Sequence, residues 1–69
     1  MYNNLKEYRE KYEIIMFIKD TNIRTLRLSD LMTKMEKEFN IPYLNDIRWN
    51  HEHKNVIELY RKISDARKI

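Results

Sequence analysis

Glycine is absent from this chain of 69 residues, cysteine is absent, and proline occurs once. Phosphate-cradling loops, dinucleotide fingerprints, nucleophile elbows and tight two-residue hairpins all need backbone without a Cβ. Lack of glycine therefore closes most nucleotide and hydrolase chemistry and favours helix over sheet. Without cysteine, no disulfide can staple the fold and no thiolate can act as nucleophile or metal ligand. A disulfide-free chain this small fits an intracellular setting better than a secreted one. Long apolar runs are missing too. The longest, residues 14–18, is far short of the roughly 20 residues that span a bilayer, and the opening MYNNLKEYREKYE is charged where an export signal would be apolar. The expectation is a soluble, cytoplasmic protein without a membrane partner.

Charge of one sign is also scarce. The 14 basic and 11 acidic side chains leave a net charge of +3. The balance is zero over residues 1–20, +1 over residues 21–50 and +2 over residues 51–69. The excess never becomes a run, which describes a solvated surface first and a nucleic-acid footprint second. A chain of this length makes one small domain, residues 1–69, near the lower size limit for a single core.

What is present is helical periodicity. Residues 28–41 give the cleanest signal: Leu28, Leu31, Met32, Met35 and Phe39 fall on one stripe at helical spacing. Ser29 is the expected N-cap, Asp30 the dipole-matched residue of the first turn, Asn40 the left-handed terminator and Pro42 the stop. Residues 2–18 read as a first helix, with Leu5, Tyr8, Tyr12, Ile15 and Met16 spaced along it and Asn3 or Asn4 as cap. The apolar run 14–18 fits buried last turns or a short strand, and residues 23–28 are read as a loop with a short extended piece. Residues 41–50 have no clean period and form a connector, with a helical turn expected near residues 44–49. A last helix is expected from His51 to Arg67, capped by Asn50 and carrying Val56, Leu59, Tyr60 and Ile63. The fold class is all-α: a small three-helix bundle with a core of Leu5, Tyr12, Ile15, Leu31, Met35, Phe39, Leu59 and Ile63.

Few residues point to chemistry. His51-Glu52-His53 is the one cluster of metal-ligand type. Two histidines at i, i+2 on a helix point about 200° apart, whereas zinc needs convergent ligands, so His53 is expected to be a packed, hydrogen-bonded residue. Acidic side chains sit at exposed helical positions beside basic ones, without the pocket that pushes carboxylate pKa values apart. No catalytic residue, cofactor or metal is assigned, and no small-molecule substrate is expected.

The order of a helix ending IIMFIK, a short loop and then TLRLSDLMTKMEKEFNIP resembles the opening of a winged helix-turn-helix domain over residues 14–42. Asn40 stands where that family commonly has a turn glycine, Pro42 follows, and no glycine-bearing wing is present. The resemblance implies DNA binding, with Asn45, Arg48 and Asn50 toward base edges and Lys54, Arg61 and Lys62 on phosphates.

The aromatics support a different role. Tyrosine, tryptophan and methionine are enriched at interface centres, and this chain holds five tyrosines, one tryptophan and four methionines. Tyr8, Tyr12 and Tyr60 are expected at the core edge with wet hydroxyls. Tyr43 and Trp49, in the aperiodic connector, are expected to join Tyr60 in a contact surface. The leading expectation is a non-enzymatic adaptor or regulator that binds a protein partner or its own copy. The helix-turn-helix DNA-binding regulator is the alternative.

Overall fold

The computed structural model describes residues 3–44 and 46–67. Four helices follow in order, α1 (Asn3–Met16), α2 (Thr21–Phe39), α3 (Ile47–Glu52) and α4 (Lys54–Arg67), and no strand occurs among the described residues. The small all-α bundle expected from the periodicity is present as three long helices plus the short α3. Asn45 and Lys68 lie outside the described residues.

α2 is the middle member. Its stripe of Leu28, Leu31, Met32, Met35 and Phe39 is buried, with Leu5 and Tyr8 of α1 and Val56, Leu59 and Ile63 of α4 completing the core. Leu28, Met35, Val56 and Ile63 have no solvent exposure at all. Tyr12 and Ile15 lie at the core's margin, partly buried, while Tyr8 is inside it. The Tyr8 ring meets Phe39 edge-on, centroids 5.5 Å apart, a geometry that sets the positive ring edge against a negative face. Polar links tie both outer helices to α2: Asn4 donates its amide to Glu38 at 2.6 Å, and Arg67 reaches the Ser29 hydroxyl at 3.3 Å. α1 and α4 thus each run antiparallel to α2.

The structure corrects three boundaries. α2 begins at Thr21, so residues 23–28, expected to be loop and extended, are helical. The N-cap is Asp20, whose carboxylate accepts the backbone N–H of Asn22 at 2.9 Å and of Ile23 at 3.1 Å. Ser29 sits inside the helix, where its carbonyl accepts the Thr33 hydroxyl at 3.1 Å. The run from Thr21 to Phe39 contains neither glycine nor proline, so a helix nucleated at Asp20 meets no breaker before Asn40. Asn40 does adopt the left-handed conformation, φ 55° and ψ 46°, and its N–H returns to the Glu36 carbonyl as the expected terminator. The run 14–18 is neither a strand nor buried as a unit, because α1 ends at Met16.

At the other end, Asp46 replaces Asn50 as the cap, accepting the Trp49 N–H at 3.0 Å and starting α3 four residues before the expected helix. His53 interrupts the path to α4 with φ −126° and ψ 48°. The Trp49 carbonyl receives both the His53 backbone N–H and the His53 ring Nδ1, each at 2.9 Å. The imidazole shares the Trp49 carbonyl without displacing the backbone bond, and the Ile57 N–H still reaches the His53 carbonyl at 3.0 Å, so α3 and α4 are divided by the backbone angles at His53 alone. As a carbonyl only accepts, the ring contact places a proton on Nδ1.

Two tests follow from this account. Asp20→Ala should cost about 1 kcal/mol in urea unfolding, whereas Ser29→Ala should cost less than about 0.5 kcal/mol. Met35→Ala should cost about 2–5 kcal/mol, comparable to the whole net stability of a core this size, so its far-ultraviolet circular dichroism should show a largely unfolded chain.

Candidate protein-contact surfaces

The turn between α1 and α2 is built to project apolar side chains outward. The Phe17 N–H bonds the Ile14 carbonyl at 3.1 Å and the Ile18 N–H bonds the Ile15 carbonyl at 3.0 Å, tightening the helix end. Arg24 closes the loop from the far side, its guanidinium donating to the Ile18 carbonyl at 3.1 Å. With the loop pinned there and at Asp20, Phe17 stands 85% exposed, Ile14 67%, Leu26 66% and Ile23 46%. On α2, Ile23 and Leu26 fall on the side of the helix away from the Leu28–Met35 stripe, at about 100° per residue.

Two grooves adjoin this tip. One, of about 460 Å³, is lined by Tyr12, Glu13, Met16 and Phe17 with Lys62 of α4. The Lys62 ammonium lies 5.4 Å from the centre of the Tyr12 ring, a cation–π contact that joins the two outer helices. The other, of about 230 Å³, runs between α1 and α2, with Ile14, Ile15 and Leu31 as its apolar part and Lys11, Arg27, Lys34 and Asp30 along it.

The aromatic trio expected to form the contact surface is divided. Tyr43 is fully exposed and shares a cleft with Tyr60, Glu36, Ile41 and Pro42. Tyr60 is committed to the bundle, its hydroxyl donating to the Glu36 carboxylate. Trp49 is not a free anchor: it is partly buried against the core, and its ring stacks on His53 with centroids 4.1 Å apart and planes 18° from parallel. A second exposed apolar group, Leu44 and Ile47, adjoins Tyr43 and Arg48.

Of the residues in the DNA-binding reading, Asn50, Lys54 and Arg61 share one groove with Ile47, His51, Ile57 and Glu58; Arg48 lies in a hollow with Tyr43, Leu44 and Ile47, while Lys62 faces Tyr12. Asn50 is half-buried, and Asn45 is outside the described residues. His51 is exposed while His53 is packed under Trp49, and no group of three or more His, Cys, Asp or Glu side chains is placed to hold a metal among the described residues.

The tip residues escaped the sequence reading for a definite reason. An unbroken apolar run cannot lie on one face of a 3.6-residue helix, so some of residues 14–18 had to face water. That was the available signal for Ile14 and Phe17. Ile23 and Leu26 were hidden by the misplaced start of α2, since only a helix there sets them opposite the stripe. No protein-family model, curated protein or solved structure matches this chain. No helix among the described residues is long and apolar enough to cross a membrane.

Burial, then the Glu36 carboxylate that accepts its hydrogen bond, pushes the Tyr60 phenol up to about 12, with Arg67 acting against them; burial first and Glu38 second also raise Tyr8. The folded state therefore holds these protons more tightly than the unfolded chain. Stability from Tyr60 is fully present below the ordinary tyrosine pKa of about 10 and is lost as pH rises from there toward 12. Ultraviolet phenolate titration should show a late-ionising tyrosine that disappears in Tyr60→Phe, and that variant should lose less stability than the wild type between those pH values.

Proposed function

We propose that this chain is a non-enzymatic, cytoplasmic contact protein, an adaptor or regulator, that meets a protein partner through the end of the α1–α2 hairpin. The observation that carries the reading is the exposure of Ile14, Phe17, Ile23 and Leu26, four large apolar side chains on either side of the turn from α1 to α2. Single exposed apolar residues are ordinary on soluble proteins, but four of them flanking one turn of the chain are a mark of an interaction site. The loop that carries Phe17 is held by the Asp20 cap and the Arg24 contact, so the surface is ordered before it is met. Pre-ordering lowers the entropic cost of association. Tyr43, with Leu44 and Ile47, is the secondary surface.

A photo-crosslinking amino acid at position 17 or 26, introduced in the native cell, should yield a discrete polypeptide adduct, either with this chain or with another. The same group at position 43 should give weaker adducts. Adducts confined to position 43 would move the contact to the connector. Adducts to DNA from positions 48 or 54, with none from 17 or 26, would overturn the reading in favour of a nucleic-acid role.

A further inference from the structure

The groove between α1 and α2 and the outward face of α1 are complementary to each other in a way that a single copy cannot use. The groove offers Ile14, Ile15 and Leu31 with Arg27, Lys34 and Lys11 against the one carboxylate of Asp30. The outward face of α1 carries Glu7, Glu10, Lys11 and Ile14, all exposed, at i, i+3, i+4 and i+7, one helical stripe that runs from acidic to basic to apolar and whose Lys11 and Ile14 also border the groove of their own copy. We propose that the occupant of this groove is α1 of a second copy, so that the protein is a twofold homodimer. This goes beyond the contact proposed at the Phe17 end: it assigns a second surface, the groove between α1 and α2, whose partner is this chain itself.

The register follows from helix geometry. With the twofold axis perpendicular to the helices, the second α1 lies antiparallel to the first and, because α1 and α2 are antiparallel, parallel to α2. On α1, Glu7 precedes Lys11 by roughly 6 Å of rise, and on α2 Arg27 precedes Asp30 by roughly 4.5 Å. The minus-then-plus order of the incoming helix therefore meets plus-then-minus on α2. Glu7 of the second copy falls beside Arg27, Lys11 beside Asp30, and Ile14 further along at the level of Leu31 and Lys34. A twofold axis repeats each pair, as an isologous interface requires. Reversing the incoming helix would set Lys11 against Arg27, and like charges so placed discriminate against that alignment. Phe17 and Leu26 of the two copies then point to opposite ends of the dimer.

Sedimentation equilibrium at concentrations up to about 100 µM should show a monomer–dimer equilibrium for the full chain. Glu7→Lys and Arg27→Glu, both at exposed positions, should each keep the wild-type circular dichroism and weaken dimerisation about tenfold or more, since each sets like charges against each other twice. Mixing the two variants should restore association, because a mixed dimer regains opposite charge at both pairs. A wild-type chain that stays monomeric overturns the proposal. So does a dimer indifferent to both substitutions, or a mixture no stronger than its components. Adducts to a different polypeptide from positions 17 and 26 in a chain that sediments as a monomer would sink the homodimer while leaving the contact surface intact.

Discussion

The constraint on which the rest depends is that α2 must be covered from two sides at once. Its stripe runs from Leu28 to Phe39, over about three turns, and α1 alone supplies only Leu5 and Tyr8 to the buried set. Val56, Leu59 and Ile63 of α4 close the other side. The connector between Asn40 and Asp46 must therefore reverse the chain so that α4 lies antiparallel on α2. Asn40 in its left-handed conformation and the Asp46 cap bracket that reversal. With no cysteine to form a disulfide and ten apolar side chains buried among the described residues, little stability is in reserve.

Polar contacts across the bundle are arranged around that core, not within it. No polar or charged residue is buried among the described residues, and Asn4–Glu38, Tyr60–Glu36 and Arg67–Ser29 lie at its rim. Their contribution is to alignment more than to net stability, because exposed pairs are worth little in water. Tyr60 is the partial exception, since burial and a carboxylate together hold its proton.

The long apolar stripes were legible because they repeat over several turns, and a repeat of that kind survives uncertainty at either end. Leu28, Leu31, Met32, Met35 and Phe39 read directly, as did the role of Asn40, a residue whose short side chain tolerates positive φ. The helix starts were not legible in the same way. Asp20, Ser29, Asp46 and Asn50 are all chemically suitable caps, and which of them caps depends on where the helix has room to begin. A cap at Ser29 leaves two turns of α2 outside the expected helix and, with them, the placement of Ile23 and Leu26. Trp49 is covered for a related reason: it packs against the core and stacks on His53, and a residue's neighbours in space are not contained in a linear pattern.

The amino-acid sequence by itself determined the helical class, the faces that must be buried and the exclusion of glycine- and cysteine-dependent chemistry, because these follow from residue type and spacing along one helix. Only the tertiary structure decided which apolar side chains are left in water, as exposure is set by what packs alongside. Phe17 and Leu26 are as apolar as Leu28 and Phe39; the difference is that nothing in this bundle lies over them.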